Sequence, residues 1–123
     1  GAIGIYPPPH VGTYGKNVVD EIENLGLAVG DRSAYAFDAG ILVAKTIYQM
    51  VSVGKSIHDA DEFMNDLRGQ SFLGATGTFR LLNNSNDREA IGFRIFNVVD
   101  GRSIDVGRYD PTQEPVLKLE VMQ

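Results

Sequence analysis

Residues 33–53 read SAYAFDAGILVAKTIYQMVSV, and this stretch decides the fold. Almost every position from Tyr35 onward is apolar or small, and the polar exceptions do not form one solvated face. The run is long enough for about five helical turns and contains no proline. We therefore expect a central helix that other parts of a protein enclose on most sides. A membrane span is the alternative, but Asp38 and Lys45 would be expensive in lipid.

The composition is that of an ordinary globular protein, with 123 residues, 43% of them hydrophobic and 22% charged. The length fits one domain. A net charge of −5 and the lack of any run of Lys and Arg argue against a nucleic-acid partner. Without cysteine there is no disulfide, thiolate metal site or Cys nucleophile. The opening GAIGIYPPPH has no basic start, so we expect a mature protein or an excised piece rather than a signal peptide.

The N-terminal part predicts a strand followed by a helix. Ala2–Tyr6 is a short apolar run, and the three prolines after it cannot continue a sheet ladder. Apolar residues then recur at helical spacing over Tyr14–Leu25. Gly26 is placed to end this helix in the left-handed conformation.

Two further helices follow. Asp31 or Ser33 can cap the central helix by accepting hydrogen bonds from its first free N–H groups. Asp59 and Glu62 form a D-x-x-E pattern that resembles a capping box and predicts the start of a third helix. Gly69 is its natural end.

The C-terminal part predicts a meander of strands separated by turn residues. Asp100-Gly101 is a strong signal for a hairpin turn. The predicted strands are Thr78–Leu82, Gly92–Val99, Ser103–Tyr109 and Val116–Val121.

The chain shows no reactive or metal-binding constellation. His10 and His58 are its two histidines, and nothing around either has the spacing of metal ligands. No nucleophile has a nearby base, and no pair of carboxylates is spaced for acid–base chemistry. We predict a protein that is not an enzyme and needs neither metal nor cofactor.

Four patterns occur in order: G-x-x-x-x-x-P at residues 1–7, AYAFDA at 34–39, F-x-G-x-T-G at 72–77, and a set running from NDRE at 86–89 through DG at 100–101 to V-G-x-Y at 106–109. Together they resemble the C-terminal third of a type I periplasmic-binding-protein domain. This is the fold of the leucine/isoleucine/valine-binding protein and of the ligand-binding regions of natriuretic-peptide and glutamate receptors.

The resemblance implies an α/β fold, a fragment of the type I clamshell. One N-terminal strand and three helices would precede an antiparallel meander of three or four strands. Residues 1–123 would be a single domain or a fragment, the C-terminal third of a larger bilobed ligand-binding domain.

The resemblance also implies a non-catalytic function, the binding of a small polar ligand such as an amino acid. The location would be periplasmic or extracellular, with a membrane tether in a receptor parent. Closure around the ligand would be read by an ABC-type transporter or by a receptor's membrane segment. The alternative is a protein–protein interaction or dimerisation domain built on a clamshell remnant, with a second copy as partner.

Three candidate ligand-binding residues lie at the start of the central helix. In amino-acid-sensing receptors of the family, a basic residue near the place of Arg32 reaches the ligand's acidic group, which a guanidinium suits. A solvated loop arginine is the alternative. Tyr35 and Asp38 are one turn apart and share a helix face. For Asp38 we favour a buried carboxylate that accepts hydrogen bonds from backbone N–H groups.

Three more candidates, Tyr6, Pro8 and His10, lie at the end of the first strand and in the loop that follows. Open α/β sheets place ligands beyond the carboxyl ends of their strands, so this loop is a candidate ligand contact. A rigid proline connector without ligand contact is the equal alternative.

Overall fold

The computed structural model describes residues 1–83, 85–89, 92–111, 115 and 117–119. The chain forms two compact units, one of residues 9–89 and the other of residues 1–8 together with 90–123. The first unit holds the helices and a two-stranded hairpin, and the second holds a four-stranded sheet. The predicted α/β class is confirmed.

The unit of residues 9–89 contains three helices at the predicted places. They are followed by a short antiparallel hairpin whose first strand was not predicted. The sequence pattern predicts one strand at Thr78–Leu82. In the structure two short strands pair with each other, one on each side of the turn at residues 75–76. The elements are α1 (Gly12–Asn24), α2 (Ser33–Ser52), α3 (Ala60–Arg68), β2 (Ser71–Gly74) and β3 (Gly77–Arg80).

The helix caps agree with prediction at one helix and not at another. The carboxylate of Asp59 accepts hydrogen bonds from the N–H groups of Asp61 and Glu62 at 3.1 and 3.0 Å, which confirms the predicted cap of α3. The predicted cap of α2 is wrong, because no side chain caps that helix. Ser33 already lies inside the first turn, and its hydroxyl accepts from the backbone N–H of Gly30 at 2.9 Å.

Helix α2 is buried along one stripe only. Its buried residues recur every fourth position, and Leu42 among them forms a core cluster with Phe79 and Leu81. The expectation of a helix enclosed on most sides is therefore wrong, because the described elements that pack on it, such as α1 and α3, leave one side open. Tyr48 and Val51 on that side are 77% and 60% exposed.

The second unit is a wholly antiparallel sheet with the strand order β1-β4-β5-β6. The predicted strands at residues 2–6, 92–99 and 103–109 are confirmed within one residue at their ends. Of the last predicted strand, Val116–Val121, the described residues 117–119 pair with β5, and the others lie outside the described part. The strands are β1 (Ala2–Tyr6), β4 (Phe93–Val99), β5 (Arg102–Tyr109) and β6 (Leu117–Leu119).

The predicted hairpin turn between β4 and β5 is confirmed. Asp100 and Gly101 have φ angles of 51° and 74°, so both are left-handed, as a two-residue type I′ turn requires. Asp tolerates this conformation better than most side chains, and Gly adopts it without steric cost.

Helix α2 does not have the character of a membrane span. Its 20 residues would be long enough, but across the described ranges no helix is both long and apolar enough to cross a bilayer.

Candidate functional site

The best-defined polar site is centred on Asp38, in the second turn of α2. Its side chain is 1% exposed. One carboxylate oxygen accepts from the N–H of Ala75 at 2.6 Å, and the other accepts from the N–H of Thr76 at 2.9 Å and from the Thr76 hydroxyl. Three donors replace the water that burial removes, which makes the buried charge tolerable.

The turn between β2 and β3 is shaped to meet this carboxylate. A Cβ atom on Gly74 would lie 2.5 Å from an oxygen of Asp38, so only glycine lets the turn approach so closely. On the other side of the turn, the N–H of Val11 donates to the carbonyl of Ala75 at 2.9 Å. The turn is thus held between α2 and the start of α1.

Arg88 completes the cluster from the same side as the hairpin. Its guanidinium donates to the hydroxyl of Thr76 and to the carbonyls of Thr76 and Thr78 at 3.1 and 3.2 Å. It also lies over the ring of Phe79, 4.9 Å from the centroid. Burial lowers the pKa of Arg88, and the carboxylate of Asp38 opposes that change. The Thr76 hydroxyl therefore bridges a buried acid and a partly buried base.

Tyr35 lies half-buried beside this pair of charges. Burial raises the pKa of its phenol above the ordinary value of 10.0, Arg88 lowers it, and Asp38 raises it further. The phenol is therefore protonated throughout the neutral range and can donate a hydrogen bond.

The cluster joins helix α2 to the β2–β3 hairpin. Both oxygens of Asp38 accept hydrogen bonds from the turn, and the residue is almost fully buried. In the described segments, no group of three or more potential metal ligands occurs. The arrangement can fix the β2–β3 turn against α2, which is the role favoured for Asp38 from the sequence.

In the sheet unit, the ring of the predicted ligand contact Tyr6 packs against two side chains. Its ring meets Phe96 edge-on with centroids 5.4 Å apart, and the guanidinium of Arg94 lies over it at 5.6 Å. Arg94 also forms an ion pair with Asp105. The sequence predicts a ligand loop at this strand's end by analogy with open α/β sheets. Strand β1 pairs antiparallel with β4, and ligand contact by the loop stays a prediction.

The other predicted contacts are divided between the two units. Pro8 is half-buried in the sheet unit, and His10 is half-buried next to Gly15 in the helical unit. Arg32 is exposed immediately before α2, and Tyr35 and Asp38 follow on the helix. Ligand contact by these residues stays a prediction.

An open polar depression of ≈ 330 Å³ occurs elsewhere in the helical unit. None of the six predicted ligand contacts lines it, and its lining is polar, whereas small-molecule sites are predominantly apolar. It is lined by Arg68, Asn83, Ser85 and Asn86.

Thr76 and Arg88 were not among the residues predicted for the site. Both stand inside motifs quoted above, F-x-G-x-T-G and NDRE. The signal that could have found Thr76 is chemical: a buried Asp needs donors, and a Gly-Ala-Thr-Gly turn offers two N–H groups and a hydroxyl. No comparable signal identified Arg88, because its partners, the Thr76 hydroxyl, two backbone carbonyls and the Phe79 ring, carry no charge that calls for a base.

Comparison with solved structures relates this architecture to a known one. The chain resembles the crystal structure of an ABC transporter solute-binding protein from R. palustris in complex with benzoate, with a TM-score of 0.63 and 18% sequence identity. The match covers 88% of this chain and 29% of that chain. The chain has part of a solute-binding-protein fold. No model of a known protein family matches it, and no curated protein does.

The match covers both units of this fold, since 88% of the chain includes more than either unit alone. The chain spans less than a third of the solved solute-binding protein. At 18% identity the likeness shows the fold alone. The solute and the partners of this chain are therefore proposed below.

Proposed function

We propose that the chain works as part of a larger bilobed ligand-binding domain of the type I class, binding a small polar solute such as an amino acid. The observation that carries the proposal is the structural match over 88% of the chain to a solute-binding protein. The location would be periplasmic or extracellular. The protein would be non-catalytic and would pass its solute to an ABC-type transporter, or report it to a receptor's membrane segment.

The open side of α2 supports a larger domain. Four apolar residues on this side are at least 37% exposed: Val43, Ile47, Tyr48 and Val51. A helix that is apolar on its exposed side is ordinarily buried by further protein. The remaining part of a bilobed fold would provide that cover.

Within this proposal the ligand contacts are Tyr6, Pro8, His10, Arg32 and Tyr35. Arg32 is exposed, so its guanidinium is accessible to the carboxylate of an amino acid. Asp38 would act indirectly by holding the start of α2 against the hairpin.

The test is calorimetric titration of the protein encoded by the complete reading frame with amino acids and with small carboxylic acids, including benzoate. We expect heat of binding from at least one of them, and at least tenfold weaker binding after Arg32→Ala. The 123-residue chain alone should bind weakly or not at all. A complete protein that binds none of these solutes would refute the proposal.

A second candidate function is a protein–protein interaction or dimerisation domain. The same exposed apolar side of α2 favours it, because such surfaces mark interaction sites in soluble proteins. Size-exclusion chromatography of the complete protein distinguishes the two: a dimer that no small solute alters supports the second function, and a solute-dependent change supports the first.

A further inference from the structure

The register of the four-stranded sheet aligns three positive charges in one row. Arg94 pairs directly with Arg108, and Arg108 pairs directly with Lys118, while Tyr6 pairs with Arg94 at the other end. Directly opposed residues of antiparallel strands share a face, with Cβ atoms about 4.5–5.5 Å apart. The row therefore spans about 10 Å, two inter-strand spacings. We call Arg94, Arg108 and Lys118 the basic row.

The basic row stands out against the charge of the whole chain. The chain carries 16 acidic and 11 basic residues, yet three of the basic ones lie side by side. They are far apart along the sequence, so only the strand pairing creates the row. Like charges directly opposite each other destabilise a sheet, so an anion bound to the row would relieve their repulsion.

Among the described residues, the carboxylate of Asp105 compensates one end of the row. Arg94 is held by its ion pair with Asp105 and by the ring of Tyr6. Arg108 and Lys118 are exposed, and within residues 1–83, 85–89, 92–111, 115 and 117–119 no ion pair or hydrogen bond involves their side chains. Two adjacent cations of the row are thus open to solvent.

We propose that the basic row binds a small anion with two negatively charged groups, such as a diphosphate or a short dicarboxylate. The guanidinium of Arg108 provides a planar pair of donors for one group, and the ammonium of Lys118 provides a point charge for the other. Because the sheet face is open, binding weakens as salt rises. This site is independent of the solute-binding function proposed above.

The experiment is an NMR titration of the ¹⁵N-labelled 123-residue chain at an ionic strength of about 0.01 M, where screening is weak. Diphosphate and succinate are the probes, and acetate is the single-charge control. We expect saturable shifts of the amide signals of Arg94, Arg108 and Lys118, with affinity for a probe about tenfold or more above that for acetate. The probe with the higher affinity, diphosphate or succinate, shows whether the basic row prefers phosphate or carboxylate groups.

Arg108→Glu is the decisive variant, and Arg102→Glu is its matched control. Both lie on β5 and change the net charge equally, but Arg102 pairs with Val99 at the other end of the strand, on the opposite face. We expect Arg108→Glu to weaken probe binding at least tenfold and Arg102→Glu to leave it within about threefold. Arg108→Gln, which keeps most of the side chain, replaces it if the Glu variant does not fold.

Three outcomes overturn the proposal. One is the absence of saturable shifts in the wild-type chain. Another is equal weakening by both Glu variants, which would reveal a response to net charge alone. The third is saturable shifts confined to residues outside the row.

Discussion

Asp38 is the residue on which the contact between α2 and the β2–β3 turn depends. Its carboxylate accepts from three donors of Ala75 and Thr76, and the burial is nearly complete. Removing such an acceptor leaves buried N–H groups without a partner, which costs about 1–3 kcal/mol. The stability of the cluster therefore depends mainly on the side chain of Asp38.

Asp38→Asn should lower the free energy of unfolding of the helical unit by about 1–3 kcal/mol, because the new amide N–H₂ group faces N–H donors. Urea unfolding followed by circular dichroism measures the change. Asp31→Asn is the control, since Asp31 is exposed in a turn, and it should stay within about 0.5 kcal/mol of the wild type. Equal stability of the Asp38 variant and the wild type would show that the bonds contribute nothing.

The raised pKa of Tyr35 leads to a pH prediction. In the unfolded chain the phenol ionises near its ordinary value of 10.0, while in the folded chain it keeps its proton to a higher pH. The contribution of Tyr35 to stability is therefore complete below pH 10 and is lost as the pH rises through the folded value.

Tyr35→Phe should flatten the loss of stability above pH 10, measured by urea unfolding at several alkaline pH values. Tyr48→Phe is the matched control, because Tyr48 is 77% exposed on the same helix. An identical alkaline loss in wild type and Tyr35→Phe would contradict the assignment.

At the scale of elements, two helix glycines differ in what surrounds them. A Cβ on Gly15 of α1 would run into the carbonyl oxygen of Ala75, whereas a Cβ on Gly40 of α2 would meet nothing within 4 Å. Alanine is favoured over glycine inside a helix by roughly 0.5–1 kcal/mol when nothing obstructs it. The two positions separate intrinsic helix preference from the packing of α1 on the turn.

Gly40→Ala should therefore stabilise the isolated chain by about 0.5–1 kcal/mol. Gly15→Ala should destabilise it by about 1–3 kcal/mol, because the turn or α1 must shift. Thermal and urea unfolding of both variants measure the difference. A stabilising Gly15→Ala would mean that α1 and the turn are not in contact.

The elements themselves were largely predictable, because each carries local signals. Helical spacing located α1 to α3, and Asp100-Gly101 located the β4–β5 turn. Strand β2 escaped prediction because its four residues end in Gly74, whose role is the close approach of Asp38 rather than a break. The predicted cap at Ser33 was wrong because the N-cap position is Arg32. Ser33 is already the first residue of helix α2.

At the scale of the whole chain, the apolar pattern of α2 was recognised, but its surroundings were not. Periodicity shows which sides of a helix need cover, and it does not show whether the cover belongs to the same chain. The same limit applies to the site. Asp38 was predictable as a buried acceptor, whereas Arg88 and the basic row depend on pairings between distant segments.

We expect the 123-residue chain to self-associate in the micromolar range through the open side of α2. Ile47→Lys should weaken this association, because a charge on that side must be desolvated at the contact. Ser52→Lys adds the same charge at the end of the helix and should leave the association unchanged. Sedimentation velocity at several concentrations provides the measurement, and a wild-type chain that stays monomeric would contradict the expectation.

The bonds from Asp38 to Ala75 and Thr76 join residues 37 and 38 positions apart. During synthesis on the ribosome, α2 is therefore made before the turn that satisfies its carboxylate. At roughly 5–20 residues per second, the interval lasts about 2–8 s. Through that interval Asp38 stays hydrated, and Leu42 on the adjoining apolar stripe still lacks its partners Phe79 and Leu81, so a nascent-chain chaperone can reach it. Once the turn packs on α2, the N–H groups of Ala75 and Thr76 replace the water around the carboxylate, and the chaperone can no longer reach the stripe.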